Sequence, residues 1–560
     1  MPYTWDTFSF RGSVLISSIT ISPSSRSAVS VRRLSAVALL LLVSFGSFAA
    51  TRTKAPARES HDSAEARTAK AFDEARKQGP QALQPFLYRM PKGADLHVHL
   101  SGAVYAESWI RAAGEDHLYV NTKTLSFLSP EKAKEVHNEK DSQFEVPCKE
   151  TVVEAAIVPQ CQHLYDALID AFSMRTFVPT AGDSGHDHFF DSFDKFGGTS
   201  KSHMGEWLDE VSARAAAQNE QYLELMDTPN YKDAAALAVK IGFTSDFAKY
   251  RQEMIDGGVR NSIPAIREAL DAAEADRRRR EHCGETDEQL ACKVKVRYIY
   301  QVLRGQSPES VFAQILLGFE TAAVDPRFVG LNLVQPEDGY ISMRDYHMHM
   351  QILDTLHGFY PTVHISLHAG ELAPGMVPPD GLRFHIRLAV EQGEAERIGH
   401  GVDVMYEDHP IELLKEMAAK HVMVEVNLTS NDVILNVKGD EHPFAIYRRY
   451  GVPVALSTDD EGVSRIDLTH EYMRAAVTYP LDYRDFKKMV RTGIEHSFLP
   501  GASLWQQSMP ETLDKPVEAC AGQLGNETPT GSCADLISQS EKAQQEWELE
   551  HRFHTFEASF

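Results

Sequence analysis

The chain has 560 residues, 43% of them hydrophobic and 24% charged, with a formal net charge of -24. That is apolar material for one large barrel or two to three ordinary domains. It excludes nucleic acid as a partner, since a phosphate backbone is gripped by clustered lysine and arginine, and the one basic run past the N-terminal region, Arg277 to Arg280, sits in a helix-like stretch rich in Ala, Glu and Asp and reads as a solvated face.

In chain order the sequence opens on an export signal. Arg32-Arg33 precede the apolar run 34–48, and the small residues Ala49-Ala50 follow. The run is about 15 residues, short of the roughly 20 that span a bilayer. A periplasmic or secreted protein is expected, with an N-terminal membrane anchor as the alternative, so membrane contact is expected only if residues 1–50 are retained. The six cysteines fall in three local pairs, Cys148 with Cys161, Cys283 with Cys292 and Cys520 with Cys533. An even count in an exported chain predicts disulfides.

Residues 51–84 read as a charged, Ala-rich leader and 85–500 as the folded core. A first strand is expected at 93–100 and a helix at 104–113. Residues 119–147 look irregular, an inserted arm closed by Cys148–Cys161. The segment 151–172 reads as helix, and 180–202, rich in Gly, Asp, His and Phe, as a loop; insertions are placed near 119–202 and 245–292. A helix at 203–218, a strand at 221–226 and a largely helical 245–280 follow. Strands at 293–303, 328–334, 362–367, 397–401, 422–428 and 452–457 then alternate with helices at 309–321, 346–358, 382–391, 410–420 and 443–450. From 501 to 560 the chain leaves this pattern and ends in a charged helix. Eight strands separated mostly by helices predict parallel pairing, and so an α/β fold, a (β/α)8 barrel with insertions and a C-terminal helical extension.

Barrel chemistry sits at the C-terminal ends of the strands, and five of these ends carry suggestive groups. The first is Asp95-Leu96-His97-Val98-His99-Leu100-Ser101-Gly102. Residues i and i+2 of a strand point to one side, so both imidazoles can aim at one point. Alone, His-x-His is equally two polar residues on a half-exposed strand. The other ends are Ser366 to Glu371 (Ser-Leu-His-Ala-Gly-Glu), Arg397 to Gly401 (Arg-Ile-Gly-His-Gly), Leu428 to Asn431 (Leu-Thr-Ser-Asn) and Ser457 to Asp460 (Ser-Thr-Asp-Asp). Across a barrel mouth, His97, His99, His368 and Asp459 can hold a zinc ion with room for a water. His400 is placed to take that water's proton and Glu371 to protonate a substrate. Gly370 lets the chain turn between His368 and Glu371.

In this order, these motifs resemble the adenosine deaminase family of the amidohydrolase superfamily, as an exported bacterial-type or growth-factor-like member, over about 87–500. The resemblance implies one zinc per chain on His97, His99, His368 and Asp459. Glu371 would protonate the purine N1, His400 would handle the water, and Asp460 would hold N7. Two-metal relatives bridge their ions with a lysine at the fourth strand's end; here that strand, 328–335, has none. Two positions depart from the family pattern. Ser101 stands where nucleoside-specific members carry a ribose-binding Asp, and Gln335 where the family has a Gly whose amide meets N3. The expected partner is a small purine nucleoside, adenosine or 2′-deoxyadenosine, deaminated to the inosine-type product and ammonia. The alternatives are a sister enzyme acting on a modified adenosine or adenine nucleotide, and a catalytically spent nucleoside-binding protein.

Overall fold

Between Gly93 and Leu456 the chain builds a large sheet strand by strand, each joined to the next through at least one helix. The computed structural model describes residues 63–560, apart from 141 and 200; the expected export signal lies outside the described residues. The strands are β1 (Gly93–His99), β2 (Tyr119–Asn121), β3 (Ser126–Leu128), β4 (Val152–Glu154), β5 (Glu220–Asp227), β6 (Lys295–Leu303), β7 (Phe328–Val334), β8 (His364–Ala369), β9 (Arg397–His400), β10 (Met423–Val426) and β11 (Val454–Leu456). The large sheet runs β1-β5-β6-β7-β8-β9-β10-β11, all parallel. Its strands are almost wholly buried, as expected when helices cover the outer face of a parallel sheet. Among the described residues no helix is long and apolar enough to cross a membrane.

The sheet closes at its functional end. The Asp459 amide donates to the His97 carbonyl (2.9 Å), and the His99 amide donates to the Asp459 carbonyl (3.0 Å). Asp95 reinforces the seam by accepting from the Thr458 amide (3.1 Å) and hydroxyl (2.6 Å). The metal-motif strand and the Asp-Asp turn are therefore neighbours by backbone pairing.

Three expectations need correction. The arm at 119–147 is not irregular: β2, β3 and β4 form an antiparallel sheet in the order β3-β2-β4, and Pro130–Glu135 is a helix. The segment 151–172 is helical only from Ala155, first as 3-10 turns and then as Gln162–Ala171. The loop at 180–202 contains a helix, Gly185–Phe196, N-capped by the Ser184 side chain. Phe189, Phe193 and Phe196 recur at i, i+4 and i+7, the spacing of one helix face. Phe196 stacks on Trp109 (ring centroids 4.8 Å apart), which also packs on Trp207 (4.5 Å).

The three cysteine pairs are bonded as the spacing suggested: Cys148–Cys161, Cys283–Cys292 and Cys520–Cys533. They close separations of 13, 9 and 13 residues, so each is worth at most a few kcal/mol. The first pins the arm and the third joins the C-terminal cluster of Leu504, Trp505, Ile537 and Trp547. Gentle reduction is expected to lower Tm while leaving metal content unchanged, measured by calorimetry and elemental analysis on the same sample. Free thiols in unreduced protein, found by peptide mapping, would refute the pairing.

Candidate active site

His97 and His99, two apart on β1, and His368 on β8 turn their Nε2 atoms to one point. His368 Nε2 lies 3.1 Å from His97 Nε2 and 3.2 Å from His99 Nε2. Asp459 Oδ1 joins them at 3.3 Å from His97 Nε2 and 3.2 Å from His99 Nε2. All four side chains are buried.

The outer ring nitrogens show which lone pairs meet there. His97 Nδ1 donates to Glu425 Oε2 (2.6 Å), His99 Nδ1 to Gln301 Oε1 (2.8 Å) and His368 Nδ1 to Asn332 Oδ1 (2.8 Å). Asn332 Oδ1 also accepts from the His368 amide (3.0 Å), which fixes it as the oxygen. With each proton on Nδ1, three bare Nε2 lone pairs and a carboxylate oxygen face one another at contact distance, which is repulsive unless a cation lies between. Zinc bonds of about 2.0–2.1 Å put tetrahedral ligand atoms about 3.3 Å apart, close to the spacing here. Carboxylate and amide acceptors behind the imidazoles are the usual outer support of such a site.

The electrostatics ask for the same positive charge. Against its burial, contacts with Asp459 and Glu425 take His97 up to about 10. Burial, then the charge of His97 and His99, pushes His368 well below its ordinary range. Against its burial, His97 and His99 hold Asp459 well below the carboxylate range. A proton on His97 satisfies only the Asp459 side and leaves His99 and His368 nitrogen to nitrogen. A divalent ion satisfies all four.

Neighbouring strand ends supply the rest. In the β8–β9 register His368 pairs with Gly399 and Ala369 with His400. His400 Nε2 lies 3.7 Å from Glu371 Oε1 and 3.9 Å from Asp459 Oδ2, whose other contact is the Ser430 hydroxyl (2.6 Å). Burial, then the Asp459 charge, pushes Glu371 well above the carboxylate range. Its backbone is clamped: Glu337 accepts from the Gly370 amide (3.1 Å) and the Glu371 amide (2.8 Å) and is itself ion-paired with His385. Gln335, His400 and Asp459 all adopt positive φ (83°, 69° and 62°), and Gly370 does too (74°). Non-glycine residues hold such backbone at a cost of about 1–3 kcal/mol each, and such strain clusters at functional sites.

The motif glycine after His99 has a different reason from the tight turn its position suggests. Gly102 lies in the short helix Leu100–Ala103, and a Cβ there would sit 1.5 Å from Asp460 Oδ1. Gly102 makes room for Asp460.

A cavity of about 350 Å³ opens on the cluster, within the usual range for small-molecule sites. His99, His368, Glu371, Asp459 and Asp460 line its floor, Ser101 and Gln335 its walls. The Gln335 side chain is tied back, its Oε1 accepting from the Gly305 amide (2.8 Å). The helix Gly185–Phe196 covers one side with Phe189, Phe190 and Phe193, and with the exposed Asp191 and Asp194. A larger groove between the helix Ala106–Glu115 and the 155–165 segment holds none of these groups. Sequence reading brought out the cluster and Ser101, Gln335 and Asp460. It missed the covering helix and the supporting residues Glu425, Asn332, Gln301 and Glu337.

Comparison with known proteins gives one family. Residues 208–507, more than half of the chain, match the adenosine deaminase family. An adenosine deaminase of Clostridium perfringens is 35% identical over 138 residues, covering 24% of this chain and 37% of that protein. One from Pectobacterium atrosepticum is 33% identical over 174 residues, covering 31% and 47%. The matches thus span less than half of these relatives. Among solved structures, the Arabidopsis N6-mAMP deaminase superposes with a TM-score of 0.44 at 20% identity, covering 74% of this chain and 94% of that one.

Proposed function

Because the chain belongs to the adenosine deaminase family, we propose that it is a metal-dependent hydrolase that replaces the 6-amino group of adenosine and 2′-deoxyadenosine by oxygen, releasing ammonia. The observation that carries this reading is the convergence of three histidines, each with Nδ1 turned to an outer acceptor, and Asp459 on one point, beside the buried Glu371, whose pKa burial pushes well above the carboxylate range. The ion we assign there is one zinc per chain, on His97, His99, His368 and Asp459. When bound, it supplies positive charge that lowers the pKa of a water held at the site.

The protein's own groups account for the remaining chemistry. Glu371 keeps its proton because it is buried, a cause that persists when an ion neutralises Asp459, and it hands that proton to the purine N1. Asp460 is pushed well above the carboxylate range by burial, then by Asp459. A protonated Asp460 can donate to N7, an acceptor-only atom. Its Oδ1 is buried without a partner in the protein. His400 faces the position of the attacking water.

With C6 at the metal cluster, N9 and the sugar point away from it, towards Ser101 and the covering helix. Besides the protonated Glu371 and Asp460 and the metal ligand Asp459, the lining holds the carboxylates Asp191 and Asp194 and no lysine or arginine. A 5′-phosphate at the sugar end meets like charge from these two, which favours a nucleoside over a nucleotide. Asp191 and Asp194 stand in for the carboxylate that Ser101 lacks.

Ammonia release from adenosine, 2′-deoxyadenosine and AMP tests the reading. We expect comparable kcat/KM for the two nucleosides, and a value for AMP at least about 10²-fold lower, as like-charge contact costing several kcal/mol implies. Turnover of AMP alone would establish the nucleotide enzyme instead, and no turnover with retained binding would establish a spent scaffold. Export is part of the proposal, supported by the three disulfides, which persist in oxidising compartments.

A further inference from the structure

A chain of hydrogen bonds runs from the backbone to His400, and each bond in it has a fixed direction. The Phe444 amide, which can only donate, gives its hydrogen to His442 Nδ1 (3.1 Å). A neutral imidazole with Nδ1 accepting carries its proton on Nε2, and burial keeps His442 neutral, down to about 3. His442 Nε2 therefore donates to Asn431 Oδ1 (2.9 Å). That settles which end of the Asn431 amide is which. Its Nδ2 then donates to His400 Nδ1 (2.9 Å). Asn427 lies 3.5 Å from both ring nitrogens of His400 and favours neither. His442, Asn431 and His400 are all buried, so water does not compete.

We propose that His442 and Asn431 are positioning residues that hold His400 as its Nε2–H tautomer, so that His400 keeps its own proton, donates a hydrogen bond to the reacting oxygen and is not the base for the water, whose proton leaves to solvent before substrate binds. The chain leaves only Nε2 of His400 uncommitted. Its distances to Glu371 and Asp459, 3.7 and 3.9 Å, are too long for hydrogen bonds and leave its N–H available to an oxygen at the cluster. This reverses the polarity read from the sequence, where His400 was the base. The positive φ of His400 and the pairing of its strand with β8 aim the ring inward, while the relay decides which nitrogen carries the hydrogen. The kinetic part of this inference rests on the deaminase reading; the tautomer does not.

The tautomer can be measured directly. In zinc-loaded protein with 15N-labelled histidine, long-range 1H–15N spectra, with the His400 signal assigned through His400→Asn, should show Nε2 protonated and Nδ1 bare. Asn431→Asp keeps the shape but can only accept, so it should move the His400 proton to Nδ1. With metal content and KM unchanged, kcat should fall by about 10²–10⁴-fold, the range of a wrong-tautomer histidine. His442→Leu adds no charge and frees the Asn431 amide to turn. It should give mixed tautomers and a smaller loss in kcat at constant KM. A wild-type His400 protonated on Nδ1 overturns the proposal, whatever the substrate. So does an Asn431→Asp variant whose tautomer moves while kcat for adenosine stays at the wild-type level.

Discussion

His368→Ala should leave the chain folded and strip it of its metal. His368 Nε2 is the atom that meets both imidazoles of β1, at 3.1 and 3.2 Å, so its loss opens one whole side of the cluster. Three remaining ligands hold a zinc ion poorly, and the fall in affinity should exceed the roughly 10–100-fold that loss of an outer partner costs. Asn332→Ala supplies that milder case, because it removes only the oxygen that orients His368. Elemental analysis after dialysis should give about one zinc per chain for the wild type, a reduced but measurable fraction for Asn332→Ala and almost none for His368→Ala. Chelation of the wild type should also lower Tm, since an ion that binds only the folded chain stabilises it by about 2.7 kcal/mol at 100 times its Kd. Two tightly bound ions in the wild type, or full occupancy in His368→Ala, would sink this account of the cluster.

Much of this site could be read from the sequence because a barrel brings its chemistry to strand ends, and strand ends are marked by a change from apolar to polar residues. His368 follows Ile365-Ser366-Leu367, and Ser457-Thr458-Asp459 follows Val454 to Leu456, so the mouth-facing residues lie where each largely apolar stretch turns polar. The supporting residues carried a quieter signal. Asn332 interrupts Phe328 to Val334, and Glu425 interrupts Met423 to Val426, in strands that are buried throughout. A polar side chain in such a place must have a partner. What the sequence could not supply is the identity of that partner, which lies on another strand: Glu425 reaches His97, 328 positions away.

The covering helix Gly185–Phe196 was hidden for a different reason. It opens on Gly185-His186-Asp187-His188, residues that favour loops by local propensity. Its stability comes from burying Phe189 and from packing Phe196 on the distant Trp109 and Phe172, a tertiary effect that overrides propensity. The consequence is functional. With 180–202 taken as a loop, Ser101 seemed to leave its part of the site without a carboxylate; with the helix in place, Asp191 and Asp194 line the same cavity.

Glu371→Gln should keep zinc, fold and KM while losing most turnover. The amide has the shape of the acid, and the backbone that presents it is clamped by Glu337 through the Gly370 and Glu371 amides, so geometry survives. What is lost is a transferable proton, worth about 10²–10⁴-fold when delivered by a positioned acid. The pH profile separates this from a packing effect. Glu371 acts as an acid only while protonated, and burial, then Asp459, raises its pKa well above the ordinary range. Wild-type kcat should therefore fall as pH rises through that raised pKa, and the residual activity of Glu371→Gln should lack that alkaline limb, since an amide does not titrate. Stability should move the same way. A carboxyl whose pKa is raised on folding binds more protons folded than unfolded, so the wild type loses stability as pH climbs from the ordinary carboxylate pKa to the raised one. The variant is spared that loss and should melt higher than the wild type at neutral pH. Near-normal turnover in Glu371→Gln, or an alkaline limb that persists in it, would mean that another group protonates N1.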